Sequence, residues 1–235
     1  MIRWIAFDAD DTLWENEIYY QSAQAALVDV LGKYCNGVMV AQALLDTETR
    51  NIASFGYGIK SFGLSMIETA IQLSNGRISA GDIQSILEKI KEMTGTAPQV
   101  ISAVPETLSI LAKNYQLLVI TKGDLLDQER KLQSSGLSSF FTGFEVVNGK
   151  DETTYRRILE RYQIPLDQFL MAGNPLRSDV LPVAAIGAKA VLVQHELTWE
   201  HEKIVNLNLV NHPYYEIATI DLLPQLVDQI NQELK

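Results

Sequence analysis

Three carboxylates stand within four residues near the start of the chain, Asp8, Asp10 and Asp11, and Thr12 follows them. They come directly after the apolar run Ile2–Phe7, which reads as a buried strand. In an open parallel sheet, ligands bind beyond the carboxyl ends of the strands, so these acids are expected at an active edge. Acids this close repel one another, and a bound divalent cation would relieve the repulsion. A single Asp after a strand is commonly a helix cap. Two Asp and a Thr at alternating positions exceed what a cap needs.

Other chemistry-bearing residues give weaker patterns. The segment Phe55–Gly63 holds three glycines around Lys60, but its spacing is not that of a dinucleotide-binding loop, and it follows a helical pattern. It reads as an interhelical segment, from which Lys60 could reach a substrate. His195 and His201 each precede a Glu, yet they lie six apart, which is not the His-Glu-x-x-His spacing of a zinc site. Trp4, Trp14 and Trp199 read as packing residues, with Trp14 near enough to the acids to line an entrance. Cys35, expected in a helical stretch, has no visible base partner and reads as inert.

Composition narrows the classes. The 235 residues carry 19 Lys and Arg against 29 Asp and Glu, a formal charge of −10, with 47% apolar residues. Such a chain buries a sizeable core and is not intrinsically disordered. The acidic balance, with no basic cluster, argues against nucleic-acid or anionic-membrane partners. One cysteine rules out an internal disulfide and suits a reducing compartment. The opening apolar stretch is broken by Arg3 and ends in carboxylates, too short for a signal core or a membrane span, so a cytoplasmic location is expected.

The elements that must position the acids follow from apolar rhythm. Five short runs, Ile2–Phe7, Leu117–Ile120, Phe144–Val147, Phe169–Ala172 and Ala190–Val193, are continuous rather than alternating, as in strands covered on both faces. Helical patterns separate them. Tyr155, Ile158, Leu159 and Tyr162 share one face, Pro105 starts another helix, and Leu222, Leu226 and Ile230 mark a closing one. The result is an α/β fold: a three-layer, Rossmann-like parallel sheet core. Residues 16–97 break the rhythm and show only helices. Ala23, Ala26, Leu27, Val30 and Leu31 form one face; Ile83, Ile86, Leu87, Ile90 and Met93 form another, opened by the Ser79-x-x-Asp82 start signal. This predicts a core of residues 1–15 and 98–235 with an all-helical cap domain over 16–97 and a return hinge at 95–98.

Asp8-x-Asp10-x-Thr12 after an apolar strand resembles the first motif of the haloacid dehalogenase (HAD) superfamily of aspartate-nucleophile hydrolases. The family's later motifs match in order: Thr121 ending the next core strand, Lys150 opening a later helix, and Gly173-Asn174-Pro175-Leu176-Arg177-Ser178-Asp179. The resemblance implies a Mg²⁺-dependent phosphatase acting on a small phosphorylated metabolite. It implies Asp8 as nucleophile, forming an aspartyl-phosphate, and Asp10 as acid and then base. Thr121, the Lys122 and Gly123 backbone N–H groups and Lys150 would hold phosphate. Asp8, the Asp10 carbonyl, Asp179 and Asn174 would hold Mg²⁺. The family usually has Asp where Asn174 stands, so weaker Mg²⁺ binding is implied, with Asp179 the main ligand of that loop and Asp11 a further acid nearby. Dehalogenases lack the second acid, since a halide leaves without a proton, so Asp10 points to phosphate esters. The rivals are a catalytically attenuated binding or regulatory relative and a phosphomutase, with a dehalogenase last. A monomer or homodimer is expected.

Overall fold

The computed structural model of the protein describes residues 1–197, 202 and 212–233. Six parallel strands form one sheet: β1 (Trp4–Phe7), β2 (Gln116–Lys122), β3 (Gly143–Val147), β4 (Phe169–Gly173), β5 (Lys189–Val193) and β6 (Tyr215–Ile217), in the order β3-β2-β1-β4-β5-β6. Nine α-helices stand among the described residues: α1 (Glu17–Leu31), α2 (Gly37–Phe55), α3 (Ile59–Leu73), α4 (Ala80–Gly95), α5 (Val104–Leu111), α6 (Leu125–Ser134), α7 (Glu152–Arg161), α8 (Leu181–Ala185) and α9 (Leu223–Glu233).

The central strands β1 and β4 are apolar along their length, and β2 and β5 over most of theirs, because successive side chains enter two different cores. Ile5 and Phe7, Leu117 and Val119, Leu170 and Ala172, and Val191 and Val193 pack with Val104, Leu108 and Leu111 of α5 and Leu223, Val227 and Ile230 of α9. Their neighbours Ala6, Leu118, Ile120, Phe169, Met171 and Ala190 pack on the opposite face with Tyr155, Ile158 and Leu159 of α7 and Val183 and Ala184 of α8. Three layers follow, as expected. All five strands read from the sequence are present. The sixth, β6, was not foreseen; it is three residues long at the sheet edge, with only Ile217 buried. The closing helix begins after Leu222, which is exposed; of the face anticipated it buries Ile230 and half-buries Leu226, and it adds Leu223 and Val227 to the core.

Two compact units divide the chain: Met1–Glu17 with Pro98–Lys122 and Leu132–Lys235, and Ile18–Ala97 with Gly123–Lys131. The second is helical and has its own core of Ala23, Leu27, Leu31, Val40, Leu44, Phe62, Met66, Ala70 and Ile86. The start signal at Ser79 is a full capping box, with Ser79 and Asp82 each accepting the other's backbone N–H. Leu87, expected inside, is exposed. Within the first unit, the chain leaving β1 and the chain returning are stitched together. The Glu15 N–H donates to the Gln99 carbonyl at 2.9 Å, and Trp14 pairs antiparallel with Val100.

Candidate active site

With every strand parallel, the carboxyl ends of β3, β2, β1 and β4 lie side by side at one edge. Register places the predicted residues there. Phe7 pairs with Val119 and Ala172, so Asp8 comes one residue past the β1 pairing, and Thr121 and Gly173–Asn174 come just beyond on either side. Lys150 follows β3 by three residues. The strand order reverses direction between β1 and β4, the crevice in which open α/β sheets bind ligands.

Asp8, Lys150 and Asp179 form one buried cluster. The Lys150 ammonium donates to Asp8 Oδ1 at 2.5 Å and to Asp179 Oδ1 at 2.6 Å. The Tyr155 hydroxyl, fully buried on α7, lies 3.3 Å from Asp179 Oδ1 and 3.1 Å from the Ser178 carbonyl. Asp179 itself is set by a wide helical turn, Leu176–Val180, at whose start Pro175 accepts the Asp179 N–H. Burial pushes the Asp179 carboxyl up to about 8, with the Asp8 charge adding and Lys150 opposing. Burial likewise raises Asp8 against the pull of Lys150. Burial works against the Lys150 charge, yet Asp179 and Asp8 outweigh it and the ammonium is held more firmly than usual. Asp179 Oδ2 is buried and has no hydrogen-bond partner among the described residues. A Cβ on Gly173 would run into that carboxylate, so this glycine is what gives Asp179 its room.

Asp10 is half-buried, and its Oδ1 accepts the indole N–H of Trp14 at 2.8 Å. Trp14 does not line an entrance: it is fully buried within the core cluster. Thr12 and Asn174 tie the β1 and β4 loops reciprocally. The Thr12 hydroxyl donates to Asn174 Oδ1, and the Asn174 backbone N–H donates back to Thr12 Oγ1, both at 3.1 Å. Asp11 takes up the left-handed region (φ 57°) and turns its carboxylate to the start of α1, accepting N–H groups of Asn16 at 2.8 Å and Glu17 at 3.0 Å. Burial lifts it to about 6. His195, on the segment after β5, bonds Glu15 at 3.1 Å and the Leu197 carbonyl at 2.8 Å. Asp11, Glu15 and His195 bring donor atoms within 4.8 Å of one another, a grouping that these internal bonds account for.

The remaining candidates divide. Thr121 is buried, with its hydroxyl 3.2 Å from the Lys122 carbonyl. Lys122 does not point to solvent: its ammonium pairs with the buried Glu202. Gly123 has a positive φ of 135° and groups with the helical unit, where a Cβ at this position would run into the Gln128 side chain. Lys60, in the same unit, is exposed and pairs with Asp124 at 2.9 Å. Cys35 lies in the turn between α1 and α2, not in a helix, because α1 ends at Leu31. Trp199 and His201 lie outside the described residues. Sequence reasoning missed the Tyr155 hydroxyl and the Trp14 indole; both were read as apolar packing, and neither carries a local signal of its polar end.

The family model of haloacid dehalogenase-like hydrolases matches residues 2–187, which include all four motifs. The chain belongs to that family. It is 39% identical to a haloacid dehalogenase-like hydrolase from Xanthomonas campestris, whose solved structure matches with a TM-score of 0.88 over 99% of this chain and 93% of that one. A glyceraldehyde 3-phosphate phosphatase from Methanothermobacter thermautotrophicus is 24% identical, over 96% of this chain and 98% of that protein. The fold alone is shared with the 2-haloacid dehalogenase of Pseudomonas syringae, at 22% identity and a TM-score of 0.65, covering 97% of this chain and 99% of that one. No described helix of this HAD-family hydrolase is long and apolar enough to cross a membrane.

Proposed function

We propose that the protein hydrolyses the phosphate monoester of a small metabolite through an aspartyl-phosphate on Asp8. The observation that carries this is Asp10, an acid two residues past the nucleophile and held by a buried hydrogen-bond donor. A halide leaves without a proton, whereas an alkoxide needs one, so a positioned acid has work to do only on an ester. The full-length likeness to a glyceraldehyde 3-phosphate phosphatase supports the reading, and the helical insertion favours a small substrate over a phosphoprotein.

An Asp8 oxygen would attack phosphorus while Asp10 protonates the departing oxygen; Asp10 would then take a proton from the water that cleaves the acyl-phosphate. Lys150 holds the Asp8 carboxylate in place and offsets charge gathering beside it. The Thr121 hydroxyl and the Lys122 N–H would donate to phosphate oxygens. The donor set suits a hard divalent cation, because the ligands are oxygens and Asp179 Oδ2 is buried with no hydrogen-bond partner among the described residues. Asp8, the Asp10 carbonyl and Asp179 would hold Mg²⁺, which supplies neutralisation of phosphoryl charge. Asn174 would be a weaker fourth donor, since its amide oxygen already accepts from Thr12.

The test is phosphate release from p-nitrophenyl phosphate and a panel of phosphorylated metabolites, with and without Mg²⁺. Release that requires Mg²⁺ and falls below about a thousandth in Asp8→Asn is expected, since removing a nucleophile commonly costs that much or more. Undiminished release in Asp8→Asn would overturn the reading. The Thr12–Asn174 tie supports one alternative, an attenuated relative. For that protein, turnover would be absent until Asn174→Asp restores it.

A further inference from the structure

We infer that Trp14 is a positioning residue for the acid step, fixing which oxygen of Asp10 carries the proton. The inference rests on the phosphatase reading above and deepens it. An indole N–H can only donate. It meets Asp10 Oδ1 at 2.8 Å, and an oxygen accepting such a bond is the carbonyl-type oxygen when the carboxyl is protonated. The proton is therefore assigned to Oδ2.

In the first chemical step, a bond forms between an Asp8 oxygen and phosphorus. The bond from phosphorus to the leaving oxygen breaks, with its electron pair going to that oxygen. The Asp10 Oδ2–H bond breaks, and its proton passes to the same oxygen. The negative charge left on Asp10 is shared with Oδ1, which faces the indole N–H, and a hydrogen bond to a charged group is stronger than one to a neutral group. Trp14 thus holds Oδ1 in place while Oδ2 hands on the proton.

Trp14 is itself immovable. Its side chain is fully buried. Its backbone pairs with Asp10 on one side and Val100 on the other, and its carbonyl accepts the Asp11 N–H at 2.7 Å. The five-residue loop from Asp10 to Trp14 is closed at both its backbone and its side chains, so the indole cannot follow Asp10 if the carboxylate turns. Packing explains the buried ring; it does not require the ring's single polar atom to end on the acid.

The experiment uses the full chain and two esters that differ in their need for a proton, p-nitrophenyl phosphate and benzyl phosphate. Trp14→Phe keeps the ring and removes the N–H. Its kcat/KM on benzyl phosphate should fall on the order of tenfold further than on p-nitrophenyl phosphate, the effect expected for losing one hydrogen bond to a charged group. In an Asp10→Ala background the same substitution should no longer separate the two esters. Equal losses on both esters would overturn the proposal and leave Trp14 a packing residue. A second readout needs no turnover. The Trp14 indole N–H resonance, identified by its disappearance in Trp14→Phe, should move upfield in Asp10→Ala; an unmoved resonance would also overturn it. Failure of the underlying reading looks different, because hydrolysis would then survive Asp8→Asn.

Discussion

A buried ammonium shared between two carboxylates, as Lys150 is shared between Asp8 and Asp179, balances charge that the acids would otherwise lose to burial by taking up protons. The arrangement depends on space as much as on charge. Gly173 leaves the Asp179 carboxylate a position that any side chain would take. Gly173→Ala is therefore expected to displace Asp179 and lower kcat by about a hundredfold or more, the effect of misplacing a site group by about 1 Å, while costing about 1–3 kcal/mol in stability. Steady-state kinetics and urea unfolding of the same variant check both halves. Much at this scale was legible in the sequence. Asp8, Asp10, Thr12 and Thr121 stand where strands end, and the ends of parallel strands meet. The partners that orient them were not legible. Whether the polar tip of Tyr155 or Trp14 reaches a carboxylate depends on rotamer and on the neighbouring strand, and neither is encoded in local spacing.

Helix α7 delivers Tyr155 to that cluster, and its start is held by Asp151, whose side chain accepts the Thr154 N–H at 2.7 Å. That bond holds the Asp151 carboxyl below the usual carboxylate range. A lowered folded-state pKa means the unfolded chain binds the proton more readily, so the stabilisation is complete above the unfolded value near 3.8 and is lost as pH falls through the folded one. Asp151→Ala should cost about 1 kcal/mol at neutral pH, and the gap from wild type should close under acid conditions in a series of urea titrations. A gap that persists at low pH would assign the effect to packing instead. The elements were readable where both faces are buried, since three strands announce themselves as unbroken apolar runs and two more as runs interrupted by a single charge, Arg3 or Glu145. Strand β6 was not, because an edge strand of three residues needs no such run and takes its conformation from pairing with β5.

The whole molecule carries separate cores. The three-layer unit buries its apolar residues on two sheet faces, whereas the helical unit closes around Leu27, Leu44 and Met66. Met66→Ala should destabilise by about 2–5 kcal/mol and, in hydrogen–deuterium exchange, loosen residues 18–97 and 123–131 together while amides of β1 and β4 keep their protection. Loosening confined to α3 would deny the unit its cooperativity. The helical character of the stretch over 16–97 was legible in its lack of strand patterns. The grouping of Gly123–Lys131 with it was hidden, because a reading along the chain assigns a segment to its sequence neighbours and not to whatever it packs against.

The stitch between Glu15 and Gln99, reinforced by Trp14 against Val100, bears on descent. Where an excursion departs and returns through the same pair of hydrogen bonds, the sheet is insulated from its length, and each doubling of a flexible connection costs only about 0.6 kcal/mol in closure entropy. Such a seam is a natural splice point. A lineage can lengthen, exchange or discard what lies between Glu17 and Pro98 while the carboxylates upstream of it are inherited untouched. The tryptophan that forms half of the seam also grips Asp10, so the part of the chain that tolerates replacement is bounded by a part that does not.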